Sequence, residues 1–268
     1  MTKAHRDKPR HLAAEYAAQF GDEEVAAAYQ HRPPYPAEAF AIVEPLLGSR
    51  PRRVLELGAG TGDFTIGLAP RVDHLIAVEP SRVMLERGRR RDGASSAHVE
   101  WLNLSAEKFA FDQQYSAVVA ADSFHWLDWH SVLPRIGASL VAHGQLILVE
   151  RAEAESPPWG PGLRALIREY STNRDYVPYD TANELETRGL IAVDGQTRTR
   201  TEAYGQSLEG YVESFHSRNG FSRARLEAGR ARAFDDKLKA LLRRYWRDDV
   251  VRLAIQARIV WGRPVLRA

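Results

Sequence analysis

The chain of 268 residues contains no cysteine. Disulfides, thiolate nucleophiles and zinc–thiolate sites are therefore excluded. A surplus of one charge sign is also missing, since 37 Lys and Arg face 35 Asp and Glu, a formal net charge of +2. A protein that binds by neutralising phosphates normally shows a basic excess or a concentrated basic face. Nucleic acid is thus not the expected partner. Basic clusters at Arg87, Arg89, Arg90 and Arg91 and at Arg243, Arg244 and Arg247 fall in helix-like patterns and read as solvated faces. No stretch approaches the roughly 18 apolar residues that span a bilayer. Met1 to Arg10 is polar and basic with no apolar run behind it, unlike a secretory signal. The expectation is a cytoplasmic protein without a membrane partner or metal, whose 44% hydrophobic residues suffice for one sizeable core.

What is present is an ordered alternation. Apolar positions recur at helical spacing through Leu12, Tyr16, Phe20, Val25 and Tyr29 until Pro33, Pro34 and Pro36 interrupt them. Pro36 suits the start of a further helix through Phe40, Ile42 and Leu46. Short β-prone runs then follow at Arg53–Leu57, His74–Val78, Val99–Leu102, Tyr115–Ala120 and Gln145–Glu150, with helical patterns between them. Such alternation predicts an α/β fold. The expected architecture is a Rossmann-like three-layer sandwich around a mostly parallel seven-stranded sheet. A break at Pro157, Pro158, Gly160, Pro161 and Gly162 precedes a helix over Leu163–Tyr170, a strand over Leu190–Tyr204, helices over Leu208–Phe215 and Ser222–Trp246, and a last strand over Val251–Val260. Three regions follow: a helical N-terminal cap (1–50), a cofactor-binding core (51–151), and acceptor-side helices and final strands of the same domain (152–268).

The turn Gly58-Ala59-Gly60-Thr61-Gly62 directly follows the first strand and opens a helix. Glycine lets backbone approach a ligand closely, and a helix N-terminus offers free N–H groups to its oxygens. Glu79, about 20 residues on at the end of the next strand, stands where a carboxylate can accept both hydroxyls of an adenosine ribose. The spacing is not the GxGxxG of dinucleotide sites. Glu56, just before the turn, would repel phosphates and attract the ammonium of a methionine moiety, or else would cap the loop as a structural acceptor.

At these residues the chain resembles the class I S-adenosylmethionine-dependent methyltransferases, type 11-like, over roughly Tyr29 to Glu150. Val54 to Gly62 resembles their first motif. Val78-Glu79-Pro80-Ser81 with Met84 resembles the second, which implies that Glu79 holds ribose and Met84 packs on adenine. Ser105-Ala106-Glu107 occupies the adenine-contacting segment, with Ser105 where that family usually has Asp. Tyr29, Arg32, Pro33, Pro34, Tyr35 and Pro36, with Phe124-His125-Trp126, resemble the branch containing trans-aconitate methyltransferase. That likeness implies that Tyr29, Arg32 and Tyr35 hold the methionine end of the cofactor, Arg32 by pairing with its carboxylate.

Asp122-Ser123-Phe124-His125-Trp126 follows a strand and should face the same crevice, with Asp122 on the cofactor side. His125 is the candidate base, because it titrates nearest neutral pH. It could equally shape the acceptor site with Trp126, or simply pack. Tyr176, Tyr204 and Phe215 are further acceptor-side candidates, with Tyr179, Tyr211, His216, Arg218 and Arg223 behind them. The expected activity is methyl transfer from S-adenosylmethionine, yielding S-adenosylhomocysteine, to a hydroxyl, carboxylate or amine of a small molecule. A methyltransferase acting on tRNA or protein, or a non-catalytic nucleotide-binding domain, are the alternatives.

Overall fold

A computed structural model describes residues 8–153 and 157–266. The reading of the extreme N-terminus falls largely on residues 1–7, outside the described residues. Five strands run parallel: β1 (Arg53–Leu57), β2 (His74–Val78), β3 (Val99–Leu102), β4 (Tyr115–Ala121) and β5 (Leu140–Glu153). They are followed in the chain by β6 (Ile191–Arg198), β7 (Glu202–Ser207) and β8 (Val250–Pro264), and β8 pairs antiparallel with β5, β6 and β7. Seven strands follow the order β3-β2-β1-β4-β5-β8-β6, and β7 joins β8 off that path. The single strand expected over Leu190–Tyr204 is in fact two. β6 pairs with the Arg258–Pro264 end of β8 and β7 with its Val250–Ile255 end.

Parallel strands are covered on both faces, so they read as continuous apolar runs. All but the last residue of β4 are buried. Alternation within the strands still separates two cores. Leu55, Leu57, Val118 and Leu148 pack on one face with Trp129 and Ile136 of the helix Trp129–Ser139. Val54, Leu75, Val119 and Ile147 pack on the other with Val43, Phe64 and Leu68. A third cluster, around Phe215 and Phe234, holds the C-terminal helices together. Burying each such side chain contributes about 1.5–3 kcal/mol.

The helices are α1 (Ala14–Ala17), α2 (Glu23–Tyr29), α3 (Ala37–Leu46), α4 (Thr65–Leu68), α5 (Arg82–Arg89), α6 (Trp129–Ser139), α7 (Gly160–Tyr170), α8 (Thr181–Thr187), α9 (Leu208–Phe215) and α10 (Ala228–Leu242). The N-terminal helical pattern is broken into α1, α2 and two 3-10 turns, because tertiary bonds override propensity there. Ser81 Oγ donates to Phe20 O at 2.6 Å, and the Tyr16 hydroxyl to Asp175 at 2.9 Å. α10 is shorter than the Ser222–Trp246 pattern, since Ser222–Leu226 forms a separate turn with Leu226 N donating to Ser222 O at 2.9 Å. Among the described residues no helix is long and apolar enough to cross a membrane.

The strand order reverses between β1 and β4. Ligands of open α/β sheets bind at such a switch point, outside the carboxyl ends of the strands. Gly58, Glu79 and Asp122 immediately follow β1, β2 and β4 at those ends.

Candidate active site

The chain leaves β1 through Gly58, Gly60 and Gly62, at φ of 76°, 57° and 80°. A Cβ on Gly58 would lie 2.5 Å from that of Ser123, so only glycine fits. A Cβ on Gly60 would meet nothing closer than Met84 Cε at 4.0 Å. The backbone is therefore bare toward open space at Gly60. Glu79 accepts from the N–H groups of Gly60 and Ser81, both at 2.8 Å. Burial pushes its pKa up to about 7, while these two N–H groups pull the other way. Ser81 caps α5, accepting from Met84 N at 3.2 Å.

These groups surround a cavity of about 400 Å³. Gly58, Gly60, Glu79, Pro80 and Met84 form one wall, and Ser105, Ala106 and Glu107 a second. Phe20 and Tyr29 bring in the N-terminal segment, while Asp122 and Trp126 close the far end. Other candidates from the same motifs stand elsewhere. Glu56 is 1% exposed and accepts from Thr65 Oγ1 at 2.7 Å, the loop-capping role, with burial raising its pKa to about 8. Ala59 N is tied to Val78 O at 3.1 Å and Thr61 O accepts from Arg91 at 2.9 Å, while a Cβ on Gly62 would strike Trp101. None of these four lines the cavity. Arg32 donates to Ser217 Oγ and O at 2.9 and 2.8 Å and lies over the Tyr29 ring, lining a neighbouring chamber instead.

Tyr35 is buried against Phe64, and its hydroxyl donates to Asp122 Oδ2 at 2.8 Å. Asp122 has a φ of 51°, and its carboxylate also accepts from the backbone and side chain of Arg151. Arg151 reaches on to Asp63 at 2.6 Å and covers the Tyr35 ring at 3.9 Å. Burial disfavours its charge, but Tyr35, Asp122 and Asp63 outweigh that and raise its pKa. Sequence reasoning missed Arg151 and Asp63. The available signal was a cation immediately behind the apolar run of β5, at the ligand-binding end of the sheet.

Two larger chambers, of about 680 and 710 Å³, adjoin this junction and share Asp122, His125, Trp126, Arg151, Arg218 and Asn219. Burial lowers the pKa of His125 to about 4, so the ring is neutral near pH 7. Tyr176 (62% exposed), Tyr179 and the fully buried Phe215 line the second chamber, and Tyr211 lines the first. Tyr204 lies on β7 opposite Leu253 and reaches neither. Arg223 and His216 are engaged away from the chambers, through Glu213 and Asp235. No group of three or more His, Asp or Glu able to hold a metal occurs among the described residues.

Residues 54–144 match the family described as a methyltransferase domain. That segment is similar to a methyltransferase domain. A Mycobacterium bovis methyltransferase, itself uncharacterised, is 35% identical over 143 residues, covering 53% of this chain and 56% of that protein. Nodulation protein S of Bradyrhizobium diazoefficiens is 27% identical, over 40% of this chain and 52% of that one. The chain thus spans little more than half the length of these relatives. Among solved structures, a protein of Anaeromyxobacter dehalogenans proposed to be a type II methyltransferase has the same fold. It superposes with TM-score 0.62 at 18% identity, over 87% of this chain and 97% of that one. The matched segment takes in β1 to β4 and α4 to α6, and both larger chambers draw on residues outside it.

Proposed function

We propose that the protein transfers a methyl group from S-adenosylmethionine to a small molecule. One observation carries this reading: the 400 Å³ cavity meets the 680 Å³ chamber at Phe20, Tyr29, Asp122 and Trp126, and the 710 Å³ chamber at Asp122 and Trp126. A donor site and an acceptor site that open onto each other are what in-line displacement requires. Bound in the smaller cavity, S-adenosylmethionine would supply an electrophilic methyl on a sulfonium. The residues there fit it. Glu79 can accept the ribose hydroxyls, Met84 and Ala106 offer apolar contact to adenine, and the bare backbone at Gly60 allows close approach.

Residues 1–50 act as a cap that closes the donor site with Phe20 and Tyr29, residues 51–151 hold the cofactor, and 152–268 build the acceptor side. His125, neutral near pH 7, takes the proton of a hydroxyl or amine at a ring nitrogen, or orients the acceptor with Trp126. Asp122, held by Tyr35 and Arg151, fixes the loop that carries both. Thermal unfolding with S-adenosylhomocysteine tests the cofactor, with NAD as control. At about a hundred times its dissociation constant the product should raise Tm by roughly 5 °C or more. A shift with NAD alone would replace this reading by a dinucleotide site.

A further inference from the structure

We infer that the rings of Phe20, Tyr29 and Trp126 form an aromatic cage for the sulfonium of S-adenosylmethionine, so that the donor site tells the charged cofactor from its neutral product. The inference rests on the methyltransferase reading for the identity of the cation. Its place comes from the cavities. Glu79, Met84 and Ala106 mark the adenosyl end of the 400 Å³ cavity, and the methyl must leave at the end that opens onto the larger chambers. Phe20, Tyr29, Asp122 and Trp126 line both that cavity and the 680 Å³ chamber. The sulfur that carries the methyl therefore lies among three rings and one carboxylate.

The carboxylate is already matched. Asp122 Oδ2 accepts from the Tyr35 hydroxyl and from the Arg151 guanidinium, both at 2.8 Å. The acids further along the wall are engaged as well, Glu79 by the N–H groups of Gly60 and Ser81, and Glu107 by that of Asp128 at 3.0 Å. The rings remain. An aromatic ring presents a negative face, and a cation over it is held about twofold to thirtyfold more tightly than over an aliphatic wall.

Phe20 is the centre of the cage. Its ring stands 5.5 Å from that of Trp126 at 73°, and 6.5 Å from that of Tyr29 at 77°. Planes so steeply inclined make the walls of a box and not a stack, and all three side chains are half-buried. Ser81 Oγ holds the Phe20 carbonyl at 2.6 Å, and the Trp126 N–H donates to Ser123 O at 3.0 Å. The Tyr29 ring already carries the Arg32 guanidinium at 4.1 Å, so the weight of the cage falls on Phe20 and Trp126. His125, 4.9 Å from the Trp126 ring, is neutral near pH 7 and adds no opposing charge. When the methyl leaves, the electron pair of its C–S bond stays on sulfur, which becomes a neutral thioether. The rings then lose their hold, and product exchanges for fresh cofactor.

The test is isothermal titration at pH 8 with S-adenosylmethionine and with S-adenosylhomocysteine, which differ by the methyl and its charge. The readout is the ratio of the two affinities in the parent, Phe20→Leu, Trp126→Leu and Trp126→Phe. Leucine keeps an apolar wall for the methyl and removes the ring face. Each leucine variant should shift the ratio about fivefold or more against S-adenosylmethionine, and Trp126→Phe should stay within about twofold of the parent. Because the ratio is read within one variant, a general loss of affinity from altered packing cancels. An unchanged ratio in either leucine variant, or a shift as large in Trp126→Phe as in Trp126→Leu, would overturn the cage and leave the cofactor reading standing. A parent that binds neither ligand would overturn both.

Discussion

Arg151 and Asp122 are joined twice, by the Arg151 backbone N–H to Oδ1 at 3.0 Å and by its guanidinium to Oδ2 at 2.8 Å. The pair locks the end of β5 to the loop after β4, the point where the 400 Å³ cavity adjoins the larger chambers. Asp63 and the Tyr35 ring complete the enclosure of the guanidinium. Both side chains are largely sheltered, 17% exposed for Arg151 and 20% for Asp122.

Removing this cation leaves two sheltered carboxylates without their partner. Arg151→Leu should therefore cost about 3 kcal/mol, although leucine fills part of the volume. Urea unfolding at pH 7 would show it as a lower midpoint with an unchanged slope. A loss below about 1 kcal/mol would mean that solvent screens the pair after all.

The glycines of the turn should differ in kind. Gly58→Ala combines a left-handed backbone with a side chain driven into Ser123, so a stability loss of about 2–4 kcal/mol is expected. Gly60→Ala carries only the backbone strain, about 1–2 kcal/mol, and its methyl projects where the cofactor must approach. It should fold and bind S-adenosylhomocysteine weakly. Denaturation and titration of both variants separate the two effects, and normal binding by Gly60→Ala would contradict the assigned approach.

Glu56 makes the folded state sensitive to base. Its pKa rises from 4.5 to about 8 on burial, so between these values the folded chain holds a proton that the unfolded chain releases. Its contribution is fully present below pH 4.5 and is lost as pH rises through about 8. Glu79 and Glu150 act in the same direction up to about 7, while the opposing effects of His125 and Lys8 fall at pH 4–6.5 and above about 8. Stability should thus fall from pH 6.5 to 8.5, and Glu56→Gln should remove most of that fall. Thermal melts across this range check it, and a slope as steep in the variant as in the parent would refute the cause.

For His125 the readout is turnover once an acceptor is in hand. His125→Ala should leave S-adenosylhomocysteine affinity within about twofold and, if the ring is the base, lower turnover about a hundredfold or more. The acid limb of the parent's rate profile should lie near pH 4 rather than 6.5. Unchanged turnover in the variant would leave His125 only a shaping role.

How much could be read beforehand depended on how local the cause was. β1, β2 and β3 have the bounds that their apolar runs suggested, because burial on both faces is written into each run. Glu79 directly follows β2, Met84 lies in the first turn of the next helix and Ser105–Glu107 shortly after β3, and the topology brings those strand ends together around one cavity. Arg151 was hidden because its partners lie 29 and 88 residues away. The early helix pattern misled because Phe20 and Tyr16 are fixed by distant side chains, Ser81 and Asp175. Tyr204 looked available as an aromatic in an alternating stretch, but pairing with β8 takes it out of reach of both chambers. Long-range register has no signature in a single stretch of chain.

The central claim is that the cavity between Gly60 and Glu79 holds an adenosyl cofactor. The most direct measurement is isothermal titration of S-adenosylhomocysteine into the parent protein and Glu79→Ala at pH 8, with NAD as control. The parent should bind the product and not NAD, and the variant should lose about 1.5–3 kcal/mol of affinity. Parent affinity should also drop about tenfold from pH 8 to pH 6, as Glu79 with its pKa of about 7 takes up a proton. Equal affinity in parent and variant at pH 8 would contradict the account.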